Sequence, residues 1–288
     1  FPDAGLVEMF PDGVASFEDS DDVLSWSVSV NRNTPIGLVP YVTVSEQGTV
    51  IADQMGDLPL ALVQNGNATD VSELWEVGLK GSFLDDSLYF AVNYYEQERT
   101  DFSAQSIVTN SSSRTEGIEA ELRWVVNADL VVTAGWTNME VFLVQAEEQG
   151  GVFSFYGADD IPQIDPALLY GGQLIGIPIS PNGRKAGIPE NIYTLTGTYS
   201  FNENLAISGS LISVDAVDSG ASGAVELPSY TLLNAGVVWE TDSWSFQINA
   251  KNLTDERYFR SNFPNLFGTQ VVLPELPRNF QARVAYKF

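Results

Sequence analysis

The sequence predicts an all-β chain, a succession of antiparallel strands forming part of a transmembrane β-barrel of outer-membrane type. Three observations predict it. Apolar and polar residues alternate with a two-residue period in segment after segment. The connections between segments alternate short and long, and aromatic residues gather at two levels, one beside the short turns and one about a membrane thickness away.

Composition narrows the functional classes. The chain has no Cys, which removes disulfides and thiol nucleophiles, and no His, which removes the usual general base and the commonest transition-metal ligand. A Ser-His-Asp hydrolase is excluded within these residues, and the reading is of a protein that is not an enzyme, with no resident metal and no cofactor. A formal net charge of −25 opposes binding to nucleic acid. No run of 18 apolar residues exists for a transmembrane helix, and the opening FPDAGLVEMF lacks the basic start and apolar core of a signal peptide. These residues are therefore read as either a cytosolic protein or a piece of a longer precursor.

Taken in order, residues 1–22 carry seven carboxylates and no Lys or Arg, show no sustained period, and are expected to be an acidic extracellular loop. Strand patterns follow at 23–32, 38–46, 73–84, 87–104, 113–126, 129–142, 190–201, 204–215, 228–240, 243–253 and 276–288. In 73–84 the apolar parity holds Trp75, Val77, Leu79 and Phe83 against Glu76, Lys80 and Ser82. In 113–126 it holds Ile118, Ala120, Leu122 and Trp124 against Glu119, Glu121 and Arg123. In 190–201 the second parity is Thr194, Thr196, Thr198 and Ser200, a small polar face suited to a wet interior and unable to fill a dry core. The last strand sets Phe280, Ala282, Val284, Tyr286 and Phe288 on one face, so the chain stops on an aromatic residue in phase with its apolar side.

The short connections, Asn33–Gly37, Asp85–Asp86, Asn127–Ala128, Asn202–Glu203 and Thr241–Asp242, carry turn-forming residues. The long ones are 47–72, 105–112, 143–189, 216–227 and 254–275. Counted back from Phe288, every long loop falls at one end of the sheet, the asymmetry of short periplasmic turns and long extracellular loops. Phe83, Trp124, Phe201, Trp239 and Trp244 sit by the short turns, while Trp75, Tyr94, Trp136, Tyr193 and Tyr230 lie a spanning distance away, as two membrane girdles would. Eleven strands is odd and bacterial single-chain barrels close with an even number, so the chain is read as a carboxyl-terminal part of a larger barrel.

These residues resemble the TonB-dependent outer-membrane receptors. The resemblance is carried, in order, by LWEVGLKGSFLDDSLYFAVNYYEQERTDF (74–102), SRTEGIEAELRW (113–124), PENIYTLTGTYSF (189–201), SYTLLNAGVVW (229–239), NAKNLTDERYF (249–259) and PRNFQARVAYKF (277–288). It implies a barrel of about 22 strands closed by an amino-terminal plug, importing a scarce nutrient, commonly a ferric siderophore. The partners so implied are outer-membrane lipid and lipopolysaccharide, the receptor's own plug domain, the TonB complex, and a small-molecule ligand. The plug and first barrel strands are expected to lie outside this sequence, which leaves residues 23–288 as the carboxyl-terminal half of the barrel.

Ligand-binding candidates come from the longest loop: Phe153, Phe155, Tyr156 and Tyr170, whose rings suit an aromatic or macrocyclic chelate. Loop self-packing is the competing reading. The acidic pairs Asp85–Asp86, Glu147–Glu148 and Asp159–Asp160 read as solvated turns, because neighbours in a strand face opposite ways. The sequons at Asn67, Asn110 and Asn252 read as turn chemistry. Glu76, Lys80, Glu119, Glu121, Arg123, Lys251, Arg283 and Lys287 are expected to line the lumen, and Asn252, Asp255, Arg257 and Tyr258 match a recurrent family motif with a structural role. Phe280, Tyr286 and Phe288 resemble the barrel-closing signal read during assembly. Two other readings stay open: a passive porin, or a secreted β-sandwich binding module in which a second sheet would cover the apolar face.

Overall fold

A computed structural model describes residues 23–50, 69–101, 111–144, 149–153, 173–178, 184–185, 187–219, 225–262 and 271–288. In chain order the strands are β1 (Trp26–Asn31), β2 (Leu38–Val50), β3 (Thr69–Phe83), β4 (Leu88–Asp101), β5 (Ser111–Val125), β6 (Leu130–Leu143), β7 (Gln149–Phe153), β8 (Gln173–Pro178), β9 (Asn191–Ser200), β10 (Leu205–Val214), β11 (Val217–Ser219), β12 (Val225–Leu227), β13 (Tyr230–Glu240), β14 (Trp244–Lys251), β15 (Phe259–Asn262), β16 (Val271–Pro274) and β17 (Asn279–Tyr286). Eleven of them form one antiparallel sheet in the order β1-β2-β3-β4-β5-β6-β9-β10-β13-β14-β17, a meander in which each long strand pairs with the next. All eleven expected strands are present. No helix occurs among the described residues.

The remaining six strands form three two-stranded ribbons, β7–β8, β11–β12 and β15–β16. Each lies within a connection expected to be plain loop, and β2 and β3 also run several residues further into 47–72 than their alternation suggested. Strands of three to six residues give too few alternations to register as a period. The acidic segment 1–22 lies outside the described residues.

The short turns share one device. Asn127 Oδ1 accepts hydrogen bonds from the amides of Asp129 and Leu130, both 2.9 Å, and Asn202 Oδ1 does the same for Asn204 and Leu205 at 2.9 and 3.0 Å. Thr241 Oγ1 accepts from Trp244 N at 3.0 Å, and Thr34 Oγ1 from Leu38 N at 3.2 Å. A short polar side chain thus satisfies the first amides of the returning strand. At 84–87 the chain instead reverses through left-handed Leu84, Asp85 and Asp86 (φ 55°, 55° and 65°), with Ser82 Oγ donating to Asp86 Oδ1 at 2.6 Å.

Register puts all the apolar parities on one face. The row Tyr199, Ile207, Val237, Ile248, Ala282 runs straight across five strands, and each member is paired directly with the next. On the other face Thr198, Ser208, Gly236, Asn249 and Gln281 form the matching row. Val28, Val42, Val77, Leu195, Leu211, Leu233, Val284 and many more large side chains of the first face are exposed, while Val141 and Leu227 are the buried hydrophobics among the described residues. No second sheet covers the apolar face there. The sheet inverts the usual order of a soluble protein, with its hydrophobic surface outside.

Candidate functional site

Three regions position the side chains singled out from the sequence. The first is the apolar face, where Trp75, Phe83, Trp124, Tyr193, Phe201, Trp239 and Trp244 are exposed and Trp136 is half-buried. They sort into two bands. At the short-turn end Phe83 stacks on Phe90 (5.8 Å between ring centres), Trp239 and Trp244 both meet Phe246 (5.3 and 5.8 Å), and Trp244 meets Tyr286 at 4.8 Å. Phe288 packs edge-on to Tyr286 at 5.1 Å, so the chain's last ring continues this band, and Phe280 stands exposed further along the same strand. Towards the long-loop end Trp75 meets Tyr94 at 5.2 Å and Trp136 stacks on its cross-strand partner Tyr193 at 6.4 Å. Two polar tips of this second band are satisfied within the sheet: Tyr94 Oη donates to Glu116 at 3.1 Å and Trp136 Nε1 to Asn191 at 3.1 Å. Amphipathic rings with bonded polar tips suit a boundary between hydrocarbon and water.

The second region is the polar face. Glu76, Lys80, Glu119, Glu121, Arg123, Lys251, Arg283 and Lys287 lie along it, and over β2–β5 they are joined by Tyr41, Tyr89 and Tyr95. Tyr41 stands beside Glu76 and under the Lys80 ammonium at 5.2 Å, and Tyr89 stands beside Glu121. A recess of about 490 Å³ opens between Tyr41, Lys80, Tyr89, Asn93, Glu119 and Glu121. Two tyrosines lie flat against the sheet because their cross-strand partners are glycines. A β-carbon on Gly78 would stand 2.4 Å from the Tyr41 ring, and one on Gly117 would stand 2.9 Å from Tyr95 Oη. Over β9 and β10 the same face carries Thr194, Thr196, Thr198, Ser208 and Ser210 and no charge.

The third region is the long-loop end. Of the four expected ligand contacts, Phe153 ends β7, whose backbone alone is described, and Phe155, Tyr156 and Tyr170 lie outside the described residues. What the structure does assemble there was expected to be structural alone. Asn252 is only 2% exposed and left-handed (φ 53°), and its side-chain amide bonds backbone groups of Glu256 and Leu276. It holds the segment leading to β15, which folds back so that Tyr258 packs on Tyr230 with 4.6 Å between ring centres. Burial, then the Glu275 carboxylate, pushes the Tyr258 phenol up, against the opposing pull of Arg260. Arg260 is paired with Glu275, and the Arg257 guanidinium lies over the Phe259 ring at 5.6 Å. Sequence spacing missed the aromatic pair because its members are 28 residues apart in different elements. Tyr230, expected in the membrane girdle of the long-loop end, lies instead on the polar face, in phase with Asn234 and Gly236 and opposite Leu233 and Val237.

Among the described residues no group of His, Cys, Asp and Glu is arranged to hold a metal ion.

Comparison with known proteins gives a consistent answer. A family model described as TonB dependent receptor-like, beta-barrel matches residues 6–253. The chain is 23% identical over 222 residues to the probable TonB-dependent siderophore receptor PiuA of Acinetobacter baumannii, a match covering 75% of this chain and 27% of that protein. It is 24% identical over 234 residues to the ferric-pyoverdine receptor PbuA of a Pseudomonas strain, covering 76% and 24%. In structure it resembles the ferric-catecholate import receptor Fiu of E. coli in its closed form, with a TM-score of 0.64 at 15% identity over 92% of this chain and 35% of that one. The chain thus spans about a quarter of the length of the curated relatives it matches.

Proposed function

Because the chain belongs to the TonB-dependent receptor β-barrel family, we propose that residues 23–288 form the carboxyl-terminal half of an outer-membrane barrel that takes up a ferric siderophore or similar iron complex. Residues 1–22 would then belong to an extracellular loop. The observation that carries the reading is the inverted sheet: an exposed apolar face with aromatic bands at two heights, backed by a polar face rich in hydroxyls and charges. Trp75 and Phe83 bound β3's apolar stretch eight residues apart, roughly 27 Å along the strand at ~3.4 Å per residue. With strands tilted by ~40°, that becomes roughly 20 Å of height, close to the hydrocarbon band of an outer-membrane barrel.

On this reading Trp75, Phe83, Trp124, Trp136, Tyr193, Phe201, Trp239 and Trp244 form the membrane girdles, facing lipid and lipopolysaccharide. The charged and tyrosine-bearing wall of β2–β5 faces a plug domain supplied by the rest of the receptor. The ligand is captured at the long-loop end, and passage follows when the TonB complex, engaging the receptor outside this barrel segment, rearranges the plug. Relatives named for siderophore and ferric-pyoverdine binding support an iron complex as cargo. A passive porin needs no energy source, and that difference sets the test. Complete receptor expressed in iron-starved cells is assayed for uptake of radioactive ferric complexes with and without TonB. Uptake that requires TonB is expected; uptake that persists without it would favour the porin.

A further inference from the structure

The inner face of the sheet changes character from strand to strand, and the changes follow register. On the β5 side charge reaches a definite border: Glu119, Glu121 and Arg123 are paired directly with Thr137, Gly135 and Thr133 of β6. Beyond that border, across β6, β9, β10 and β13, the inward parity holds neutral side chains, chiefly hydroxyls, glycines and aliphatics. The first charge met there is Glu240, at the last position of β13 beside the turn. On β14 and β17 charge returns with one sign: Lys251 and Arg283, followed by Lys287 just past the strand, lie on the inner parity with no carboxylate among them.

The neutral sector also uses its polar groups differently. Asn234 Nδ2 donates to Ser210 Oγ at 3.1 Å and Asn234 Oδ1 accepts from Asn252 N at 2.9 Å, so the amide is satisfied within the wall. A recess of about 180 Å³ opens where Thr198, Ser208, Gly236, Gln247 and Asn249 meet. From β5 to β14 the sector spans roughly 24 Å, at ~4.8 Å per strand spacing, which is wide enough for a small-molecule chelate.

A body seated against this sheet is held unequally by its three sectors. Charge-assisted hydrogen bonds are roughly twice as strong as neutral ones, and a buried charge parted from its partner must be solvated again. Neutral hydroxyls exchange a protein partner for water at little net cost. A plug of complementary charge is therefore held at β2–β5 and at β14–β17 and gives way between them.

We infer that the cargo passes the plug along β6, β9, β10 and β13, where the wall of hydroxyls and glycines takes up water when the plug moves, while the charged walls on either side keep their hold. The inference rests on the uptake reading above and adds the sector of the barrel through which uptake runs.

The test places single cysteines in the complete receptor, on a wall that carries none of its own. Thr194→Cys and Ser208→Cys lie in the neutral sector. Ala91→Cys shares the cross-strand row of Thr194, and Gln281→Cys that of Ser208, so each comparison is matched in register. Cells are given the radioactive ferric complex taken up in the assay above, together with a sulfonated, membrane-impermeant maleimide, with and without TonB. Labelling of the two neutral-sector cysteines is expected to rise at least about fivefold when TonB is present, with Ala91→Cys and Gln281→Cys changing by less than about twofold. Once labelled, the neutral-sector variants should lose uptake and keep surface binding of the same complex. Heat-modifiable mobility on gels checks that every variant is folded. Equal TonB-dependent labelling at all four positions, a rise confined to Ala91→Cys or Gln281→Cys, or no rise anywhere while uptake proceeds would each overturn the route and leave the function proposed above standing. A receptor with no TonB-dependent uptake of any iron complex would overturn that function and the route with it.

Discussion

Asn252 closes on Glu256 from both ends of its amide: Oδ1 accepts from Glu256 N and Nδ2 donates to Glu256 O, both at 2.8 Å. The same Nδ2 reaches Leu276 O at 3.4 Å, and Asn252 N donates to Asn234 Oδ1 at 2.9 Å. One buried side chain thus ties the end of β14 to the segments entering β15 and β17, and so fixes where the Tyr258 ring can go. Asn tolerates the left-handed backbone this requires.

Asn252→Gly keeps that backbone accessible and removes the side-chain bonds, so it is expected to cost about 2–3 kcal/mol; Asn252→Ala adds backbone strain and should cost about 1 kcal/mol more. Urea unfolding of the barrel, followed by tryptophan fluorescence, reads both. A Gly variant as stable as wild type would show that the bonds contribute nothing.

Tyr41 and Gly78 are coupled by shape. Gly78→Ala would drive a methyl group into a ring whose Cε1, Cζ and Oη all lie within 2.6 Å, and a loss of about 1–3 kcal/mol is expected. Gly197→Ala, where a β-carbon meets nothing within 4 Å, should change stability by less than about 0.5 kcal/mol. Adding Tyr41→Ala to the Gly78 variant should recover part of the loss, and a strictly additive double variant would contradict the packing.

Leu195 and Thr196 are neighbours on opposite faces, Leu195 lying between the Tyr193 and Tyr199 levels. Arginine at 195 should destabilise the barrel by about 2–4 kcal/mol if that face meets hydrocarbon, whereas Thr196→Arg, placed towards water, should have a much smaller effect. The measurement is the folded fraction after refolding into lipid vesicles. Equal tolerance at the two positions would sink the assignment of faces.

Phe288 touches Tyr286 at the turn-side band, far from the long loops. Replacing it with Ser in the complete receptor is expected to lower the amount of heat-modifiable barrel in the outer membrane, while molecules that assemble bind cargo normally. Full yield with lost binding would contradict both the orientation of β17 and its role in assembly.

The sequence by itself determined the strands of the main sheet and the two faces of most of them, because a two-residue period is a local property: once Trp75, Val77 and Leu79 share a parity, Glu76 and Lys80 must share the other. It also determined which end carries the loops, through the turn residues Asn127, Asn202 and Thr241, whose side chains bond amides only two or three positions on. Partnership across strands was not legible. That Tyr41 lies over Gly78, or Trp136 against Tyr193 beyond a connection of nearly fifty residues, depends on register, which hydrogen bonding between separate strands decides. The aromatic pair at the long-loop end shows the same division. The motif places Tyr258 and Arg257 together in sequence and suggests a girdle position for Tyr230, but only the fold of the last loop, tied down by Asn252, brings Tyr258 onto Tyr230 at the polar face.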